Sequence, residues 1–460
     1  MPQDQNFLSP SANVLINVFE NKDKDVGEEK MVVNALISKV ATFYEKFRTA
    51  MDYGSEETIP RRAIERMLKR MLFLDKNSKT LAENLVRELV WAGYFPNATV
   101  PESIIDDVAK TITLYLRLKD KITDKKTFPK DEVNNFILDI LSCEILNTLH
   151  PNKEKNAVAN FMYKTLKDCV IIEDDSEQTR DIQVYLAIRK NFAKDDNPTL
   201  KYKLFRQVFG KLTDQNFEHS VSEFNKGYKE IKYQLSYPKK ERIYNHIKKK
   251  TPPFLILYEI LLKERGKIKE FVNDEAQLRE KIVDVCDGKY KNIRSKVQTA
   301  IIRSFIFILV TKAFFALMVE GTFESIVLGG IQWGSIALNT VIPPLIMLAV
   351  GLSIKTPGAQ NSNLIWEDIQ KLLFEENPHL LDTLSIKLKA ESSKTLYDYI
   401  FSLLWFSSSI ITFGLIWYIL GLLGFNPLSK GIFIFFIAII SFLSYRIYQA
   451  ANSYTITRKQ

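Results

Sequence analysis

Cysteine is scarce in this chain of 460 residues: only Cys143, Cys169 and Cys286 occur, at wide spacings. An odd, sparse set builds no disulfide framework, and no Cys-x-x-Cys spacing points to zinc. The three read as small buried apolar residues in a reducing compartment. The four histidines, His150, His219, His246 and His379, show no metal-like i, i+4 spacing and read as surface or helix-end residues. Also missing are a Gly-rich phosphate loop, a Gly-x-Gly-x-x-Gly run after a strand, a His-Glu-x-x-His pair and a Gly-x-Ser-x-Gly elbow.

Two near-misses resolve to ordinary structure. Asn21, Asp23 and Asp25 offer oxygens at the spacing of a calcium loop, but Val26 stands where the sharp turn needs glycine. Val32 stands where the bidentate glutamate belongs, so the segment reads as a solvated linker. Asp195-Asp196 before Asn197-Pro198 reads as a turn and helix cap. No catalytic residue, metal or cofactor is assigned, and the expectation is a protein that is not an enzyme.

The first thirty residues lack a basic stretch followed by an apolar one, and they carry too many acids for a transit peptide. The water-facing part is therefore expected to stay in the cytoplasm. Sparse Gly and Pro with abundant Lys, Asn and Ile fit a prokaryotic plasma (inner) membrane.

What is present is lipid-like sequence. Four apolar blocks stand near 300–319, 325–354, 399–425 and 432–447, and the second holds no charged side chain. Crossing a hydrocarbon core of about 30 Å takes about 20 predominantly apolar residues. Four spans, forming two hairpins, are expected.

Loop charge sets their direction, because basic residues favour the cytoplasmic side. Lys289, Lys291, Arg294 and Lys296 precede block one, and Lys355, Lys371, Lys387, Lys389 and Lys394 join blocks two and three. Arg446, at the end of block four, and Arg458 and Lys459 beyond it are basic, whereas the link between blocks one and two holds only Glu320 and Glu324. Both termini are expected in the cytoplasm.

Before the blocks, apolar residues recur at three- and four-residue steps: Leu36, Val40, Phe43, Phe47 and Met51; Ile64, Met67, Leu68, Met71 and Leu72; Leu81, Leu85, Leu89 and Val90. The same period continues through Val108, Ile112 and Leu116, and through Phe136, Ile140 and Ile145. Sustained period-2 alternation is absent, so the fold is predicted all-α: a large helical cytoplasmic domain followed by a four-helix transmembrane region. The boundaries expected are a flexible segment 1–30, a helical domain 31–296 with a break near 172–176, a hairpin 297–354, a cytoplasmic linker 355–398, a hairpin 399–449 and a tail 450–460.

Two features carry functional information. The first is positive charge: residues 201–250 hold 13 Lys/Arg against 5 Asp/Glu, nearly the whole formal net charge of +9. Within it, Tyr228, Tyr233, Tyr237 and Tyr244 interleave with cations, and Lys239, Lys240, Arg242, Lys248, Lys249 and Lys250 are candidates for anionic lipid or a protein partner. A solvated face with its tyrosines turned inward is the leading reading, lipid contact the second, and base stacking on nucleic acid the least favoured.

The second lies in lipid. Arg303 and Lys312 interrupt block one, Lys312 nine positions further and hence about 13 Å deeper along a helix. A charge there costs roughly 2.5–3.5 kcal/mol on insertion scales and often marks function. The blocks hold no internal acid, so Lys312 is expected to snorkel toward Glu320 and Glu324. Pro343-Pro344 is expected to break block two, leaving 325–337 at the outer interface or re-entrant. Gly414, Gly421 and Gly424 are expected to permit close helix approach.

The leading expectation is a membrane-anchored scaffold that binds a protein partner at the cytoplasmic face. The alternative is a small transporter or channel with a polar site around Lys312 and the proline pair.

Overall fold

The three- and four-residue spacing of apolar side chains becomes helix over most of the computed structural model, which describes residues 7–20, 30–32, 35–50, 56–74, 77–327, 329–380, 382–387 and 396–456. Helix accounts for 79 % of the structure and strand for almost none. The calcium-like segment 21–27, Lys389, Lys394, Arg458 and Lys459 lie outside the described residues. The chain divides into two compact units: Met1–Asn273 with Gln370–Leu388, and Asp274–Ile369 with Lys389–Gln460.

The first unit begins with α1 (Pro10–Glu20), α2 (Ala35–Ala50), α3 (Ile59–Leu74), α4 (Ser78–Trp91), α5 (Ile104–Asp124), α6 (Lys130–Leu149) and α7 (Lys153–Leu166). It continues with α8 (Glu177–Ile188), α9 (Asn197–Phe209), α10 (Phe217–Leu235), α11 (Lys240–Lys248), α12 (Thr251–Lys263) and the single turn α13 (Ile268–Phe271). Side-chain oxygens satisfy the orphan amides at several starts. Asn77 accepts from Lys79 N at 3.0 Å, Ser176 from Thr179 N at 3.1 Å and Asp196 from Thr199 N at 3.1 Å.

An extensive apolar cluster of this unit is built from α3 to α6 and α8 to α10. Aromatic rings meet inside it: Phe136 lies 5.8 Å from Phe224 and 4.9 Å from Tyr228, both edge-on. Edge-to-face pairs at such distances add stability beyond area burial.

Several expectations are revised here. The segment expected to be flexible contains α1, which buries Ala12, Leu15, Ile16 and Phe19. Phe43, placed on a core stripe, is 75 % exposed on α2. The acidic stretch near 172–176 does not divide the unit. Instead β1 (Val170–Ile172) pairs in parallel with β2 (Leu384–Ile386), in the register Val170↔Leu384 to Ile172↔Ile386. The segment read as a linker therefore supplies a strand and, in α17 (Ala359–Phe374), a helix.

The second unit holds the apolar helices α14 (Glu275–Phe315), α16 (Trp333–Ser353), α18 (Leu396–Leu422) and α19 (Pro427–Ala451), with the short α15 (Thr322–Val327) between the first two. All four are long and apolar enough to cross a membrane. The first is not confined to its apolar block. It starts at Glu275, capped by Asp274, and its polar first half continues without interruption into the apolar second half.

Helices α14, α16 and α19 bury Val297, Ile301, Ile308, Met347, Phe436 and Ile440 among themselves. Helices α14 and α16 approach closely at Gly351, where an added Cβ would stand 2.8 Å from Ile301 Cγ2. The glycines expected to serve this purpose do not: Gly414 and Gly424 have open space, and Gly421 accommodates the Lys430 ammonium. Helix α18 contacts the others mainly near Leu420 and leaves Phe401, Trp405 and Ile411 exposed.

The expected proline break is also absent. Helix α16 runs from Trp333 to Ser353 with Pro343 and Pro344 inside it, both buried. Two missing N–H groups remove two rungs, but apolar surroundings offer the flanking amides no partner other than the helix itself, so the ladder persists on both sides. Residues 329–332 form a short connection, and the helix starts at Trp333 rather than near 338.

Candidate functional site: a buried polar cluster among the apolar helices

Lys312 does not snorkel. It is fully buried, and its Nζ lies 2.6 Å from Oε1 of Glu320, which is fully buried too. The local backbone explains the meeting. Eight residues of α-helix turn through about 800°, some 80° past two full turns, and would place the pair on different faces. Residues Ala316–Gly321 form a π-helical turn. Such a turn absorbs one extra residue, so the eighth position falls where the seventh would, within about 20° of two turns. Glu320 is thereby rotated inward beneath Lys312.

The rest of the cluster comes from the other two packed helices. Asn339 of α16 donates its Nδ2 to Glu320 Oε2 at 2.6 Å, and Ser429 of α19 donates its hydroxyl to the same oxygen at 3.0 Å. Asn339 Nδ2 also reaches the Ser429 carbonyl at 3.3 Å. Above the ammonium lies the Phe436 ring, 5.2 Å from Nζ to its centroid. The lysine thus meets a carboxylate on one side and an aromatic face on the other, an arrangement that suits a desolvated cation.

A second buried acid closes one end of the cluster. Glu324 accepts from Gln332 N at 2.7 Å and from Asn426 Nδ2 at 2.8 Å. Gln332 and Asn426 are the capping residues of α16 and α19. Glu324 therefore sits at the N-terminal ends of two helices, where amide donors and the helix dipoles favour negative charge. The two acids expected at an exposed rim are instead internal staples. One buried acceptor of the cluster, Asn339 Oδ1, has no hydrogen-bond partner among the described residues.

The remaining sequence candidates are scattered. Arg303 is exposed on α14 and Pro343-Pro344 lie inside α16. Of the basic residues in the first unit, Lys240, Arg242, Lys248 and Lys249 are exposed, and Lys239 is half-buried. Lys240 donates to the Leu235 carbonyl at 2.6 Å. Lys250, grouped with them in the sequence, is buried.

The two ends of the nine-residue α11 carry the charge, about 12 Å apart. Of its neighbouring tyrosines, Tyr228 and Tyr237 are buried and donate to Glu132 at 2.6 Å and Asp175 at 3.1 Å, while Tyr233 is exposed.

Sequence reasoning found Lys312 and missed Asn339, Ser429 and the inward turn of Glu320. A signal for the first was present, since Asn339 stands within a block that holds no charged side chain. No protein-family model, curated protein or solved structure matches the chain.

Proposed function

We infer that this protein is a non-enzymatic, membrane-anchored scaffold, held in the plasma (inner) membrane by four spans with both termini in the cytoplasm. Its helical first unit would bind a protein partner at the cytoplasmic face. The observation that carries this reading is the internal pairing of Lys312. Its charge is neutralised by Glu320, and Glu320 is in turn held by Asn339 and Ser429, so the bundle has what it needs to stand as an anchor without a bound ion. The loop charges of the sequence support the orientation.

A second reading, a small transporter, draws support from Asn339 Oδ1, a buried acceptor beside a charged pair that meets no partner among the described residues. Flux into proteoliposomes separates the two. Anion and proton flux in vesicles carrying the whole chain is expected to equal that of protein-free vesicles, with Lys312→Gln no different. Flux above that background, abolished by Lys312→Gln, would replace the scaffold with the transporter.

A further inference from the structure

Outside the apolar bundle, the first unit holds a second concentration of buried charge that the scaffold reading does not use. Between α3, α7, α9 and a π-helical turn at Arg189–Ala193 lies a cavity of about 120 Å³, bordered by Arg61, Lys155, Arg189, Lys194 and Lys203. Three of these cations are almost wholly buried: Arg61, Lys155 and Arg189 are 4 %, 7 % and 5 % exposed. Lys and Arg are seldom buried without partners, so each demands an explanation.

Two guanidiniums are fixed by acids of the fold. Arg61 donates Nε to Asp196 at 3.0 Å and Nη1 to Glu65 at 2.7 Å. Arg189 donates Nε to Asp195 at 2.7 Å and Nη1 to Asn156 Oδ1 at 2.8 Å. Lys155 faces Glu57. Lys203 is different. Among the described residues it meets no carboxylate at ion-pair distance; it reaches Asn156 Oδ1 at a long 3.5 Å and lies 5.6 Å from the Tyr202 ring centroid.

The starts of α7 and α9, capped by Asn152 and Asp196, border this space through Asn156 and Thr199. We propose that this cavity binds the phosphate group of a small soluble molecule, with Lys203 as its principal ligand and Lys155 and Arg189 flanking it. The volume suits a single tetrahedral anion with a companion water, taking about 30 Å³ for each water. Guanidinium and ammonium groups on several sides match such an anion's oxygens. A bilayer headgroup fits poorly, because Arg61, Lys155 and Arg189 are recessed and, of the five cations, only Lys194 stands on the surface.

The electrostatics agree. Burial pulls the Lys155 ammonium down to about 8, against Asp195, which raises it, and with Arg189 and Lys194, which lower it further. Burial and then the Arg189 guanidinium bring Lys203 to about 8, against the pull of Asp195. Lys194 is lowered by burial and by Lys248. Both central lysines bind their protons less tightly here than in the unfolded chain. Their charge is nearly complete below about pH 7, half lost near pH 8 and gone by about 9.5, so anion affinity should fall across that range.

Calorimetric titration of the full-length protein in neutral detergent with inorganic phosphate, and separately with glycerol phosphate, tests this. Saturable binding below about 1 mM is expected, far tighter than for chloride. Lys203→Met keeps the aliphatic stem and should weaken binding roughly tenfold to a hundredfold, with the thermal transition retained. Lys203→Arg should restore most of the affinity, and Lys249→Ala should match the wild type. Phosphate no tighter than chloride would overturn the proposal. So would undiminished affinity in a folded Lys203→Met or Lys203→Gln protein, or binding confined to nanodiscs that contain phosphatidic acid.

Discussion

Glu320→Ala is expected to destabilise the apolar bundle by about 3–5 kcal/mol, the usual penalty for stranding one partner of a buried ion pair. Lys312 would remain wholly enclosed among α14, α16 and α19, and its Nζ would lose the carboxylate now 2.6 Å away. Asn339 and Ser429 would lose their shared acceptor at the same time. Removing both charges should do much less harm. In Lys312→Met/Glu320→Leu no ion is left unpaired, and apolar replacements of buried pairs are often neutral. The double variant is expected within about 2 kcal/mol of the wild type, a strong coupling of the two sites.

Thermal unfolding in detergent, monitored by circular dichroism and by retention of a monodisperse peak, reads this cycle. If the single variants were as stable as the double one, the pair would be solvated and the geometry of the π-helical turn would count for nothing.

Phe205→Ala is expected to cost about 3–5 kcal/mol in the first unit, through lost apolar transfer and the cavity left behind. Phe205 is fully buried, with the rings of Phe209, Tyr115 and Phe136 centred 4.8, 6.0 and 6.5 Å away. Those neighbours belong to α9, α5 and α6, so their collapse into the void is limited by three helices. A chain of two units need not unfold in one step, and hydrogen exchange is the better readout. Amide protection in α5, α6 and α9 should fall by roughly two to four orders of magnitude. Protection in α14 and α19 should hold. A change below about tenfold in α5 and α6 would show that this ring cluster is not the centre of the core.

The helical class was legible because it is written locally. Leu81, Leu85, Leu89 and Val90 repeat at helical spacing, and all are buried on α4. The apolar blocks needed only composition and length. What stayed hidden depends on register or on distant chain. The lysine–glutamate contact requires the π-helical turn at Ala316–Gly321, and no periodicity in the sequence announces it. The pairing of Val170–Ile172 with Leu384–Ile386 joins segments far apart in the chain, each only three residues long.

Glycine gave a similar lesson. Gly351 allows the close approach to Ile301, while Gly414 has open space, and only the opposing helix distinguishes them. The phosphate-sized cavity was out of reach for the same reason. Arg61, Lys155, Arg189 and Lys203 stand on separate helices, and none forms a motif with its sequence neighbours.

Side-specific labelling tests the arrangement on which the functional reading rests. With Cys143, Cys169 and Cys286 replaced by alanine, single cysteines are placed at Ile331, between α15 and α16, and at Lys291, in the polar half of α14. In intact cells a membrane-impermeant maleimide is expected to modify the cysteine at 331 and to reach the one at 291 only after permeabilisation. The reverse pattern, or equal labelling of both before permeabilisation, would contradict the anchored, inward-facing protein described above.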